Sequence, residues 1–183
     1  VACTIPETRT YTIYIPDERG SVSENTDTAV TININSEHYL KQSYIAYRNS
    51  SYQIEISKYS KWESSPGKII KNQFKNTLSR TGVFREVRTD SVAPTGSYSL
   101  KINLKQFERF DEGADSFGML AFDADFLSPN GQNLYRSTIY KKIKLDSRNF
   151  SSLAKGLSTA LKEGIDEINT NIISAVNKQI TAP

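Results

Sequence analysis

The chain has 183 residues, 37% of them apolar, a formal net charge of +3, one cysteine and one histidine. That is enough chain for one domain with a real core, and too little charge to imply nucleic acid by itself. One cysteine excludes an internal disulfide and, with one histidine, an ordinary structural zinc site; no run approaches the roughly 18 apolar residues of a spanning helix.

The chain opens Val1-Ala2-Cys3-Thr4. A small residue directly before a near-terminal cysteine is how the end of a bacterial lipoprotein signal looks, with cleavage just before the cysteine. On that reading Cys3 is the lipidated N-terminus. Several acyl chains, at roughly 0.8 kcal/mol per buried methylene, make a lasting anchor. Without that context Cys3 is a free thiol. Thr4 stands where Asp would be the common signal for inner-membrane retention, and is permissive for the outer membrane.

Tyr11, Ile13 and Ile15 alternate with Thr10, Thr12 and Tyr14 up to Pro16 and predict a first strand. Asp17 to Thr28 is polar and reads as a loop. Val30, Ile32 and Ile34 predict a second strand. Glu37, His38 and the tyrosines 39, 44 and 47 follow. Tyrosines this dense either line an apolar groove with wet tips or cover a sheet edge. His38 has no partner set for metal or base chemistry.

Tyr52, Ile54 and Ile56 alternate with Gln53, Glu55 and Ser57, which predicts a half-buried strand. Trp62, the one tryptophan, sits in the turn that follows. Ser64-Ser65-Pro66 reads as a helix start. Pro66, Ile69, Ile70, Phe74 and Leu78 recur at helical spacing, and Gly82 is the stop signal. Val83, Phe84 and Val87 resume as a strand. A strand-helix-strand unit favours a parallel pair with a right-handed crossover.

Ser91 to Ser97 reads as a loop. Tyr98, Leu100, Ile102 and Leu104 then alternate with Ser99, Lys101, Asn103 and Lys105 as the cleanest half-buried strand. Asp111 to Asp115 turns. Leu120, Phe122, Ala124 and Phe126 face one way in the next strand. Ser128-Pro129-Asn130-Gly131 is a hairpin turn, and Leu134 to Leu145 returns. Lys141 interrupts its apolar side and predicts a bulge or an edge. Together these predict an antiparallel meander. Asp123 and Asp125 share a strand face; two carboxylates can chelate a cation or form an acid-base pair, but nothing nominates a further ligand. They read as a solvated outer face.

From Asn149 the pattern is helical. Leu153, Leu157, Leu161, Ile165, Ile168, Ile172 and Val176 predict a helix over about 150–178, capped by Ser147, Asn149 or Ser151. Gly156 and Gly164 mark close packing or a bend. Ile172, Ile173 and Val176 continue the stripe beyond what a small sheet covers and leave a surplus for a partner.

The run from Tyr39 to Phe84 carries a family resemblance. Tyr39-Leu40, Tyr44-Ile45, Tyr47-Arg48, Ile54, Trp62, Pro66, the helix after it, Gly82 and Phe84 resemble the ABC-type transport auxiliary lipoproteins. These accompany bacterial MCE-type lipid transport systems; the paraquat-inducible protein C group is among them. One departure is the gap between Trp62 and Pro66, which is longer than the family's usual spacing. The resemblance implies a domain similar to the N-terminal domain of TolB. It agrees with the order of predicted elements, β-β-β-α-β-β-β-β-α, which suggests a two-layer α+β sandwich. In it a twisted mixed sheet, largely antiparallel, carries two helices on one face. Residues 1–8 are then a lipoprotein tether and 9–180 a single domain.

The chain has no Gly-rich phosphate loop, no GxSxG elbow, no HExxH and no CxxC, so no residue can be named for catalysis, a cofactor or a metal. The resemblance implies a non-catalytic subunit anchored by Cys3 at the periplasmic face of the outer membrane of a Gram-negative bacterium. Its implied partner is an MCE-domain protein; phospholipid as a ligand and a homo-oligomer are compatible with it, without a residue that specifies either. Docking candidates are Tyr39, Tyr44, Tyr47 and Trp62, and the far end of the last helix. Two alternatives stand beside this: a periplasmic binding or assembly-factor lipoprotein for an outer-membrane β-barrel, and a hydrolase using Asp123 and Asp125.

Overall fold

A computed structural model describes residues 6–16, 26–90, 92 and 94–181. Cys3, residues 17–25 of the loop predicted over 17–28, and Ser91 and Ala93 of the next predicted loop lie outside the described residues; Thr26 to Thr28, the end of that predicted loop, open a strand instead. The elements run β1 (Arg9–Tyr11), β2 (Thr26–Ser36), β3 (Tyr44–Ser50), β4 (Gln53–Trp62), α1 (Pro66–Thr81), β5 (Phe84–Arg88), β6 (Tyr98–Glu112), β7 (Asp115–Leu127), β8 (Asn133–Lys144) and α2 (Phe150–Thr181), with one 3-10 turn at His38–Leu40.

The eight strands form one open mixed sheet, and β6 is its axis. One edge of β6 pairs antiparallel with β7, which pairs with β8: the predicted meander. The other edge is shared in series. β2 runs parallel to β6 from Tyr98 to Leu104, the chain steps off through the 3-10 turn, and β3 rejoins β6 at Arg109 and Phe110. Outside β2 lies β5, and outside β3 lie β4 and then β1. A register shift between Leu104 and Gln106, opposite Phe122 and Ala121, falls where β2 gives way to β3. The extra residue changes the parity of β6: Leu100, Ile102 and Leu104 face the core before it, and Phe107 after it.

Both helices cover the same face of the sheet. Ile69, Ile70, Phe74 and Leu78 of α1 are buried against it, as predicted. Phe74 meets Phe122 of β7 edge-on at 6.0 Å. Each such side chain contributes on the order of 1.5–3 kcal/mol on burial. Pro66 opens α1 and Gly82, at φ 66°, closes it, as a glycine C-cap should. Asn149 caps α2, its Oδ1 accepting from the Ser152 N–H at 2.8 Å. The two α2 glycines mark close packing. A Cβ on Gly156 would lie 2.6 Å from Leu145 Cδ2, and one on Gly164 3.1 Å from Ile139 Cγ2.

Several expectations are corrected. The first strand is only Arg9–Tyr11: the chain leaves β4 there because Ile13 turns into the core and the Tyr14 N–H is held by Ser158 Oγ of α2 at 3.0 Å. The segment Tyr44–Ser50 is a strand, β3, and forms a hairpin with β4. β5 pairs with β2, not with β4, because the hairpin carries β4 to the other side of the sheet. The end of the α2 stripe is not surplus. Ile172 and Val176 are fully buried and Ile173 packs on the core, leaving Ile180 as the exposed apolar residue there. Lys141 does mark an edge: β8 pairs only with β7 among the described residues, and Lys141 reaches Glu163 of α2 at 3.6 Å.

Candidate functional site

The face of the sheet away from the helices is where polar and aromatic side chains collect. At the β8 side it is well protected. Lys142 lies 4.1 Å above the Phe117 ring and 5.8 Å from that of Phe110. The edge strand itself carries Arg136, Lys141, Lys142 and Lys144, charges that discourage edge-to-edge pairing. Asp123 and Asp125 belong to this face and are satisfied locally. Lys105 and Thr138 bond Asp123 at 2.6 and 2.7 Å, and Arg136 and Asn133 bond Asp125. The Lys105 ammonium, with Thr138, holds the Asp123 carboxyl below the usual carboxylate range. The pair is a set of surface ion pairs, with no second carboxyl group held opposite among the described residues.

The β4 side differs. β1 covers the outer edge of β4 only at Ser60–Trp62. Beyond that, Tyr52 is 98% exposed, Ile54 37% and Ile56 41%, with Tyr59 and Tyr44 also exposed. The alternation predicted for 52–57 is real, but its apolar face is the one away from the helices: Glu55 pairs with Tyr47 on the helix side, and Ile56 with Ala46 on the other. Single exposed apolar residues need no explanation; a run of them on an unpaired strand edge is the kind of patch that marks an interface.

Beside the hairpin base lies a buried polar cluster. Glu108 is 0% exposed; its Oε1 accepts from Arg48 Nε at 2.6 Å, and its Oε2 has no hydrogen-bond partner among the described residues. The Arg48 guanidinium lies 5.9 Å from the Tyr39 ring, whose hydroxyl donates to the Lys105 carbonyl at 3.1 Å. Burial, and then the charge of Glu108, push the Tyr39 phenol well above its ordinary value of 10.0. A group raised in the folded state stabilises fully below its unfolded pKa, and that contribution is lost as pH rises beyond it. Stability is therefore expected to fall above about pH 10, and Tyr39→Phe to remove part of the fall. Urea midpoints between about pH 9 and 11 check this; the same slope in both proteins would refute it.

The four predicted docking residues are thus divided. Tyr44 is exposed. Tyr39 is half-buried in the cluster. Tyr47 is half-buried on the helix side, its hydroxyl donating to Glu55 at 2.7 Å and its ring tilted against Phe150 at 6.1 Å. Trp62 is 1% exposed and packs on Phe107 at 5.2 Å, so it supports the hairpin base without presenting a surface. His38 is exposed in the 3-10 turn. The sequence reading missed Glu108, Arg109 and Asp111. Its available signal was charge on consecutive residues of a strand, which one solvated face cannot accommodate.

At the other side of the same strand end, Arg109 lies between the rings of Tyr47 and Phe150, at 5.1 and 4.9 Å. It donates from Nη1 to the Arg148 carbonyl at 2.7 Å and from Nη2 to Asp111 at 3.0 Å. Asp111 also accepts from Ser116 at 2.5 Å and lies 3.6 Å from Arg148 Nε. This network fixes the start of α2 on the sheet. No helix among the described residues is long and apolar enough to cross a membrane.

The crystal structure of protein XCC0632 from Xanthomonas campestris superposes with a TM-score of 0.80 at 13% identity, covering 94% of this chain and 99% of that one. A crystal structure of an uncharacterized protein gives 0.70 at 15%, covering 91% and 99%. The hypothetical protein CT253 from Chlamydia trachomatis gives 0.53 at 10%, covering 82% and 98%. At such identities the likeness is one of fold. No curated protein sequence matches. The profile of the ABC-type transport auxiliary lipoprotein component matches residues 13–169, from the segment that locks onto α2 through most of α2 itself. The chain belongs to the family of ABC-type transport auxiliary lipoprotein components.

Proposed function

We propose that the protein is a non-catalytic subunit of an MCE-type lipid transport system, anchored by an acylated Cys3 to the outer membrane, with its domain in the periplasm. Its task is to dock the MCE-domain protein whose apolar conduit carries lipid between the membranes. Energy comes from the system's ATPase, not from this chain. The observation that carries the docking part is the outer edge of β4, bare among the described residues beyond Ser60, with Tyr52, Ile54, Ile56 and Tyr59 exposed. It contrasts with the lysine-guarded edge of β8. Family membership supports the transport role, and the resemblance of the 39–84 region names the MCE system.

The test is crosslinked recovery of the full-length protein from its native envelope. Wild type is expected to bring down an MCE-domain protein. The double variant Ile54→Asp/Ile56→Asp is expected to lose at least about tenfold of it, roughly 1.4 kcal/mol, while still unfolding in one cooperative thermal transition, since neither side chain belongs to the core. Cys3→Ser is expected to leave the membrane fraction. Recovery of a β-barrel in place of an MCE protein would replace this reading with the assembly-factor one. Undiminished recovery by the double variant would move the docking surface elsewhere.

A further inference from the structure

A cavity of about 500 Å³ opens between β1, the end of β4 and the start of α2, with Tyr59 of the proposed docking edge on its wall. Three arginines line it: Arg9 from β1, Arg109 from β6 and Arg148 from the residue pair before α2. They arrive from distant parts of the sequence. The β1–β4 ladder sets Arg9 against Ser60, and the Arg109–Arg148 hydrogen bond draws the α2 start to the same place. Asn149 and Phe150, at the start of α2, also line this wall. Asn149 serves Ser152, and the first helical bond, from Leu153 to Asn149, lies beyond them. The positive end of the helix dipole adds about half a charge.

The charges do not cancel within the wall. Asp111 is used on both oxygens, by Ser116 and Arg148 on one and by Arg109 on the other. Glu7 sits on the exposed rim. Arg9 is exposed with no acidic partner among the described residues, and half of the Arg148 side chain is open to solvent. Arg109 is more than nine-tenths buried, and its Nε–H finds no acceptor among the described residues. An unmatched buried guanidinium N–H costs free energy. A planar, forked cation suits phosphate oxygens, and helix N-termini offer them N–H groups.

We infer that this cavity binds a phosphate group. The placement indicates which phosphate. Its lining starts at Pro6, and three residues of chain reach at most about 11 Å, so the cavity stays near Cys3. Resting on the acylated-Cys3 reading above, the mouth lies at headgroup level of the anchoring leaflet, and the occupant is the phosphate of an anionic phospholipid. A free phosphate ester would use the same donors.

The experiment uses the full chain carrying Cys3→Ser, so that no acyl anchor contributes. Arginine Nε–H and α2 amide signals are followed by NMR during three titrations: with inorganic phosphate, with glycerol 3-phosphate, and with vesicles of phosphatidylcholine containing phosphatidylglycerol. Sites at Arg9, Arg109, Arg148, Phe150 and Ser151 are expected to shift saturably with glycerol 3-phosphate and to respond to the anionic vesicles. Arg9→Glu is expected to weaken both at least tenfold; Arg9 is exposed, so the variant keeps the fold, which its unperturbed amide spectrum verifies. Response to the soluble phosphates alone would overturn the lipid as occupant and keep the phosphate site. Silence of these signals in all three titrations, or binding unchanged by Arg9→Glu, would overturn the site. Failure of the anchor is read separately, from the mass of Cys3 peptides in membrane-extracted wild type, and leaves these outcomes unaltered.

Discussion

Trp62→Ala is expected to lower folding stability by about 3–5 kcal/mol, the range for removing a large aromatic from a core. Trp62 is buried at the base of the β3–β4 hairpin, and its ring meets Phe107 just past the register shift of β6. The loss is therefore both a cavity and an unsupported junction between β4 and the core. For a domain of this size it corresponds to a drop of about 6–20 °C in thermal midpoint. Trp62→Phe behaves differently. It sheds an indole N–H that has no acceptor among the described residues, a burden of about 1–3 kcal/mol, and so offsets much of its own packing loss. Thermal unfolding followed by far-UV circular dichroism measures both. Equal losses for Ala and Phe would show that ring volume at this site is not what matters.

The second large effect concerns the buried pair. Arg48→Met leaves Glu108 fully buried without its cation and is expected to cost about 3–5 kcal/mol. Adding Glu108→Leu to that variant removes the stranded carboxylate. The double variant is then expected to recover most of the loss, and replacing such pairs by apolar residues can even stabilise by about 1–4 kcal/mol. Urea denaturation of the two single variants and the double variant closes the cycle. A double variant as unstable as the sum of its parents would mean that the 2.6 Å bond carries no coupling. A stable double variant raises the question of why the pair is there. Its place, on the open face beside Tyr39 and the exposed hairpin, suggests that it fixes the orientation of β3 on β6.

How much of this could be read from residues depended on whether one face of an element met water. The β6–β7–β8 meander was legible because Leu100, Ile102 and Leu104, and then Phe122, Ala124 and Phe126, alternate with polar residues and do face the helices. Both helices were legible for the same reason; Gly156 and Gly164 read as close packing or a bend, and the structure shows close packing. β3 was not, since Tyr44-Ile45-Ala46-Tyr47 shows no alternation: Ile45 and Ala46 are successive residues, on opposite faces of the strand, and both are buried. β4 misled in the other direction, because period two tells which residues share a face and not whether that face is covered. The arginine cavity depends on β1 pairing with β4 across some fifty positions of chain, a register that no local pattern encodes. Family membership was legible through the 39–84 region, and the profile match to residues 13–169 extends it over most of the domain.

If Cys3 is acylated as proposed, the brevity of β1 acquires a mechanical meaning. A pull on the tether falls first on a three-residue parallel ladder, the weakest join in its path. Ile13, buried in the core, and the Tyr14–Ser158 bond stand behind it as a stop. Peeling Arg9 to Thr12 away would pay out about 14 Å of extended chain at the cost of the Tyr11 contact with Phe150 at the core's edge. A domain so anchored would have two working distances from its membrane, a short one with β1 zipped and a longer one with β1 released. The arginine cavity exists whole only in the first.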